Sequence, residues 1–279
     1  MDYKIIYDEK LPLKGIIQII HGMSEYSMRY LDFSEYLNSK GYGVVLSDHL
    51  NHGENAYKNN TLGYFEDSFE VLVKNQMAIT EDLREKYPSI PIYILGHSMG
   101  SFIGQEHMKH MSYIVNKYIF IGSCGERKLV VSLGKYFFKL LSIFIKKPKI
   151  IFNKILFFKF KKDYSWLITD KIALKEYLDS SLCGFPYVPT FYYNFLDFLS
   201  NLYKKESFSQ VRKNIPLLII SGEKDPIGLY GKGVKNLCNF YENLNFTRVV
   251  LKLYSDEGHE ILNGLKKKEV YDKICNFLG

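Results

Sequence analysis

The sequence predicts an α/β fold: a mostly parallel central sheet flanked by helices, with a helical insertion late in the chain. Three observations predict it. Apolar, β-forming runs stand at residues 15–20, 42–47, 92–95, 118–121, 216–221 and 248–254. Between several of them apolar residues recur at helical spacing, as in Tyr30, Leu31, Phe33, Leu37 and again in Val71, Leu72, Met77, Ile79, Leu83. One stretch, from about Cys124 to Arg212, is rich in Phe, Tyr, Leu and Lys and carries no clear strand.

The strand-like runs are almost unbroken apolar sequence, the pattern of strands covered by helices on both faces. With 279 residues, 47% of them hydrophobic and 24% charged, the chain suits one large domain interrupted by an insertion. We divide it into a core formed by residues 1–122 and 213–279 and a helical cap formed by residues 123–212. The cap region contains "FFKLLSIFIKKPKIIFNKILFFKFKKDYSWL", which reads as short amphipathic helices interrupted at Pro148.

No apolar, uncharged run reaches about 18 residues, and Met1-Asp2-Tyr3-Lys4 lacks the pattern of a secretory signal, so a cytoplasmic address is expected. Cys124, Cys183, Cys238 and Cys275 are widely spaced, without a Cys-x-x-Cys pair, and read as free thiols. The net charge of +7 is concentrated: between Lys135 and Lys162 there are many lysines and no acid. Aromatic and basic residues interleave there, but no nucleic-acid-binding module is recognisable, and no nucleic acid partner is expected.

The run Ile92-Tyr93-Ile94-Leu95 ends at Gly96-His97-Ser98-Met99-Gly100, and a helix-compatible segment follows. This fits G-x-S-x-G, in which a serine occupies a tight strand-to-helix turn and glycines remove the clash two positions away on either side. Such a turn exposes the Ser98 hydroxyl and places the Met99 N–H at a helix N-terminus, where it can stabilise an oxyanion. An ordinary βα turn is the plain alternative.

A serine hydroxyl needs a base, and the base needs an acid to orient it. Of seven histidines, His259 in "YSDEGHEILN" follows the last strand-like run and is the best-placed base. The run "LLIISGEKDPIG" supplies Asp225 in a turn after the preceding strand, with Glu223 and Asp256 as competing acids. The second oxyanion donor is expected in His21-Gly22-Met23, after the run ending at Ile20: Met23 N–H first, Gly22 second. The pairs His49-x-x-His52 and His107-x-x-His110 lack an apparent third ligand, so neither metal nor cofactor is expected.

The segments "IIHGMSEYSMRY", "YGVVLSDHLNHGEN", "LGHSMGS", "GEKDPIGLYGKGV" and "LYSDEGHEILN" resemble, in order and spacing, the monoacylglycerol lipase and lysophospholipase branch of the α/β hydrolases. The resemblance spans most of residues 15–122 and 215–279. It implies the α/β-hydrolase fold, an eight-stranded, mostly parallel sheet with a helical cap inserted after the sixth strand. It also implies Ser98 as nucleophile, Asp225 as acid, His259 as base, and Met23 and Met99 as oxyanion donors. Two departures stand out: the N-terminus is short, so the first two strands are abbreviated or one is missing, and "SDHLNHGEN" carries Leu50 and Asn51 where relatives differ.

The expected function is hydrolysis of a lipid-like ester, monoacylglycerol or lysophospholipid, through an acyl-enzyme. The alternatives are a short-chain esterase or peptidase with the same triad, or a non-catalytic membrane-binding protein of the same fold. The aromatic and lysine-rich cap, from Phe137 to Lys162, suits contact with an anionic membrane or an acyl tunnel, and equally a cap packed on the sheet with solvated lysines.

Overall fold

The computed structural model describes residues 3–156 and 163–279. Its strands are β1 (Lys4–Ile6), β2 (Gly15–Ile20), β3 (Tyr42–Leu46), β4 (Ile92–His97), β5 (Lys117–Ile121), β6 (Leu217–Gly222) and β7 (Val249–Tyr254). They form one sheet in the order β1-β3-β2-β4-β5-β6-β7, parallel throughout except for β1 against β3. The helices are α1 (Leu31–Asn38), α2 (Gly53–Lys58), α3 (Phe69–Lys86), α4 (Met99–Met111), α5 (Lys128–Phe144), α6 (Ile150–Leu156), α7 (Lys171–Asp179), α8 (Pro189–Leu202), α9 (Lys232–Glu242) and α10 (Lys267–Leu278).

Successive residues of each strand point to opposite faces, and the core divides accordingly. Ile16, Ile94, Phe120 and Ile219 pack with Leu72, Ile103, Phe191 and Leu237, from α3, α4, α8 and α9. On the other face Ile17, Leu95, Ile121 and Ile220 pack with Phe33, Leu37 and Ile274, from α1 and α10. β2, β3, β4 and β6 are buried along their whole length, which is why they read as unbroken apolar runs.

The strand count agrees with the short N-terminus noted in the sequence. Seven strands are present among the described residues, the first only three residues long, one fewer than the implied eight, and the helical insertion follows the fifth of these seven. The insertion carries α5–α8, with the break between α5 and α6 falling around Pro148. It is anchored, not pendant: α8 packs on α5, and Phe191 and Phe198 contact Phe69 of α3. Lys109 of α4 donates from Nζ to the Leu202 carbonyl at the end of α8, 2.8 Å away. Phe157, Phe158, Lys159, Phe160, Lys161 and Lys162 lie outside the described residues. Among the described residues no helix is long and apolar enough to cross a membrane.

Candidate active site

Ser98 stands between β4 and α4 with φ 51° and ψ −120°, a conformation that L-residues rarely adopt and that lifts the side chain clear of both elements. The flanking glycines permit it. A Cβ on Gly96 would lie 2.4 Å from the Gly100 carbonyl oxygen, and one on Gly100 would lie 2.0 Å from that of Ile20. Ser98 N–H donates to Ile121 O at 2.9 Å, fixing the turn against the end of β5. The loop after β2 passes close by, since a Cβ on Gly22 would be 3.1 Å from Ser98 Cβ.

Asp225 follows β6 and is fully buried. Its Oδ2 accepts from His259 Nδ1 at 2.9 Å, and its Oδ1 accepts the Ile227 N–H at 2.8 Å. The competing acids lie elsewhere: Glu223 is exposed, and Asp256 is exposed and paired with Lys224 and Lys266. His259 follows β7, and its loop is sewn to the insertion by His259 N–H to Trp166 O and Glu260 N–H to Leu167 O, each 2.8 Å. With Nδ1 bound to Asp225, Nε2 is the nitrogen left for proton transfer. Ser98 Oγ and His259 Nε2 carry no hydrogen bond among the described residues; the two loops meet through the rings of His97 and His259, 5.0 Å apart.

The Met23 and Met99 N–H groups have no acceptor among the described residues, whereas the Gly22 N–H donates to Glu25 Oε1. That bond removes Gly22 from contention as a donor. Sequence reasoning missed the group that makes it. Glu25 is buried, and its carboxylate also accepts from Arg29 Nη1 at 2.7 Å, Tyr30 OH at 3.0 Å and His97 Nδ1 at 2.9 Å. Arg29 bridges onward to both carboxylate oxygens of Glu260, the neighbour of His259. One ionic cluster therefore ties the loop after β2, the residue before Ser98 and the residue after His259. Its signal in the sequence was the i, i+4 spacing of Glu25 and Arg29.

Both partners of His97 are acceptors, the Glu25 carboxylate and, at 3.4 Å from Nε2, the His259 carbonyl. Two acceptors facing the two ring nitrogens favour the doubly protonated, charged ring. Burial opposes its charge, and Glu25 outweighs burial and raises the pKa. Burial likewise pushes Glu25 up, but His97 and Arg29 more than reverse it and hold the carboxyl well below its usual range. His21, His49 and His52 form a second cluster, and desolvation lowers all three, His49 to about 4 and His52 to about 3. His107, buried in the core against Thr80 and Tyr118, falls to about 3 for the same reason. Among the described residues no group of three or more His, Cys, Asp or Glu side chains is arranged to hold a metal ion.

The serine aminopeptidase (S33) family model matches residues 12–266, which include the elbow, the acid turn and the histidine loop. The chain belongs to this family. It is an α/β hydrolase, as the sequence motifs implied. Curated relatives match over a shorter stretch. A monoglyceride lipase homolog of Monkeypox virus is 33% identical over 90 residues, covering 32% of this chain and 31% of that protein. The phospholipase YtpA of Bacillus subtilis is 36% identical over 96 residues, 34% of each. The matched stretch thus spans about a third of these relatives' length. A thermostable carboxyl esterase from Bacillus coagulans, solved in complex with glycerol, is similar across 99% of this chain and 92% of its own, at 25% identity and a TM-score of 0.87.

Proposed function

We propose that this family member is a serine hydrolase of carboxylic esters, acting on a lipid-like substrate of the monoacylglycerol or lysophospholipid kind through an acyl-enzyme. The observation that carries the reading is the buried Asp225–His259 pair beside a G-x-S-x-G elbow whose Met99 N–H, like that of Met23, has no acceptor among the described residues. The names of the relatives, a monoglyceride lipase homolog, a phospholipase and a carboxyl esterase, support an ester substrate.

In this mechanism Ser98 Oγ attacks the ester carbonyl carbon while His259 Nε2 takes its proton, the two atoms closing to hydrogen-bond distance in the substrate complex. Met23 and Met99 N–H groups stabilise the oxyanion. His259 then protonates the leaving alcohol, and a water deprotonated by the same nitrogen releases the acid. Asp225 holds the imidazole in the required tautomer and stabilises its charged form without taking the proton.

In the same reading residues 1–122 and 213–279 are the catalytic core and 123–212 the cap. α5 supports a role at a lipid surface: Val131 and Phe138 face inward, while Leu133, Leu140, Ile143 and Phe144 are exposed on its other side. Exposed lysines at 128, 146, 147 and 149 flank that row. Together they favour contact with an anionic membrane from which the substrate is drawn.

The test is labelling by a fluorophosphonate probe, expected in the wild type and absent in S98A at unchanged thermal stability. Labelling that survives in S98A refutes the nucleophile. A panel of long-acyl monoesters, short-acyl esters and amino-acid amides, compared by kcat/KM, separates the lipid reading from a short-chain esterase or peptidase.

A further inference from the structure

Ser24 immediately follows the proposed oxyanion donor Met23 and has φ of +54°, a left-handed conformation that is costly for a residue with a Cβ. None of its polar groups is satisfied by its own loop. The Ser24 N–H donates to Tyr187 OH at 2.7 Å, its Oγ donates to Phe185 O at 2.8 Å, and its carbonyl accepts the Gly184 N–H at 2.8 Å. All three partners belong to the helical insertion, just before α8.

Tyr187 is itself fixed from a third direction. Its ring is fully buried and stacked on Phe191 with centroids 3.7 Å apart, and its hydroxyl lies 2.6 Å from His52 Nε2. His52 Nδ1 is 2.9 Å from the Leu50 carbonyl, an obligate acceptor, so Nδ1 carries the proton and Nε2 accepts. The hydrogen-bond directions are thereby set: Ser24 N–H to Tyr187 oxygen, Tyr187 O–H to His52 Nε2, His52 Nδ1–H to Leu50 oxygen. Each of these donors has one acceptor, and the Tyr187 oxygen both accepts from Ser24 and donates to His52.

We propose that Tyr187 is a positioning residue for the oxyanion hole, holding Ser24 in its left-handed turn and thereby aiming the Met23 N–H at the substrate oxygen. The insertion then supplies part of the catalytic geometry as well as covering it. This inference rests on the reading of Met23 as a donor. A donor displaced by a fraction of an ångström forfeits much of its effect on the transition state while barely altering substrate binding.

The experiment compares the wild type with Y187F on a p-nitrophenyl acyl ester, and measures affinity for an alkyl trifluoromethyl ketone, which a serine nucleophile converts to a tetrahedral oxyanion. The expected result is a fall in kcat of about 10-fold to 100-fold, KM within about twofold, and a matching loss of affinity for the ketone. A change of kcat and ketone affinity below about twofold overturns the inference, as does a loss seen in KM alone. If Y187F does not fold, H52L reads the same relay by removing the acceptor of the Tyr187 hydroxyl: parallel losses support the inference, and unchanged values overturn it. Failure of the functional reading has a different signature, a wild type without turnover that depends on Ser98, and it takes this inference with it.

Discussion

Glu25 Oε1 lies 2.9 Å from His97 Nδ1, so the carboxylate that closes the loop after β2 also holds the residue preceding Ser98. The pair is buried and ionic, and its stability contribution must vary with pH. His97 has a folded pKa raised above 6.5, so its contribution is complete below 6.5 and is lost as pH rises through the folded value. Glu25 has a folded pKa held below 4.5, so its contribution is present above 4.5 and is lost as pH falls through the folded value. Unfolding in urea across a pH series is expected to show stability declining above 6.5 in the wild type. In E25Q that decline disappears and stability is lower by roughly 3 kcal/mol or more, because His97 and Arg29 lose a buried counter-charge. Parallel curves for the two proteins would contradict the assignment of charge.

Asp225 is fully buried and hydrogen-bonded to His259 Nδ1 at 2.9 Å. In D225N the amide N–H group can face Nδ1, and the imidazole then carries its proton on Nε2, the atom that must receive one from Ser98. A loss of kcat on the order of 10⁴-fold is expected, with KM little changed. Steady-state hydrolysis of a p-nitrophenyl ester reads both, and a loss below about tenfold would show that Asp225 does not orient the base.

Gly122, at the end of β5, packs under the imidazole. It has φ of +60°, and a Cβ there would lie 2.8 Å from His259 Cε1 and 3.0 Å from Nδ1. G122A is expected to push the ring aside and cost about 100-fold in kcat, with a separate loss of about 1–2 kcal/mol from the left-handed backbone. Crystallography of the variant would show whether His259 has moved. An unmoved ring with full activity would mean that the neighbouring backbone gives way instead.

Much of this was legible in the sequence where one residue type answers one physical demand. The buried strands announced themselves through unbroken apolar runs, and Gly96 and Gly100 through a turn that tolerates no Cβ. β1 was not legible, because three partly exposed residues pairing antiparallel with β3 leave no periodicity to detect. The ionic cluster was half legible: Glu25 and Arg29 are spaced to pair along the chain, but Glu260 is 231 residues from Arg29 and only the fold joins them. Tyr187 gave no signal at all. A tyrosine among many aromatics in the insertion is indistinguishable from core until its hydroxyl is seen between Ser24 and His52.

The exposed side of α5 makes the last prediction. Leu140 is 59% exposed and Phe144 is 77% exposed, and with Leu133 and Ile143 they form a row along a helix whose opposite side is already buried by Phe138 against Tyr192. Inward packing is thus satisfied without the outer row, which leaves about four large apolar side chains in water beside lysines. Sedimentation with vesicles containing anionic phospholipid is expected to capture the wild type, and raised salt to weaken capture by screening the lysines. The double substitution Leu140→Asp and Phe144→Asp removes apolar burial and adds repulsion, so partitioning is expected to fall at least about tenfold while hydrolysis of a soluble short-chain ester is retained. Equal partitioning of variant and wild type would place any membrane contact elsewhere on the surface. A matching loss on the soluble ester would mean that α5 shapes the site itself and is not simply its approach to lipid.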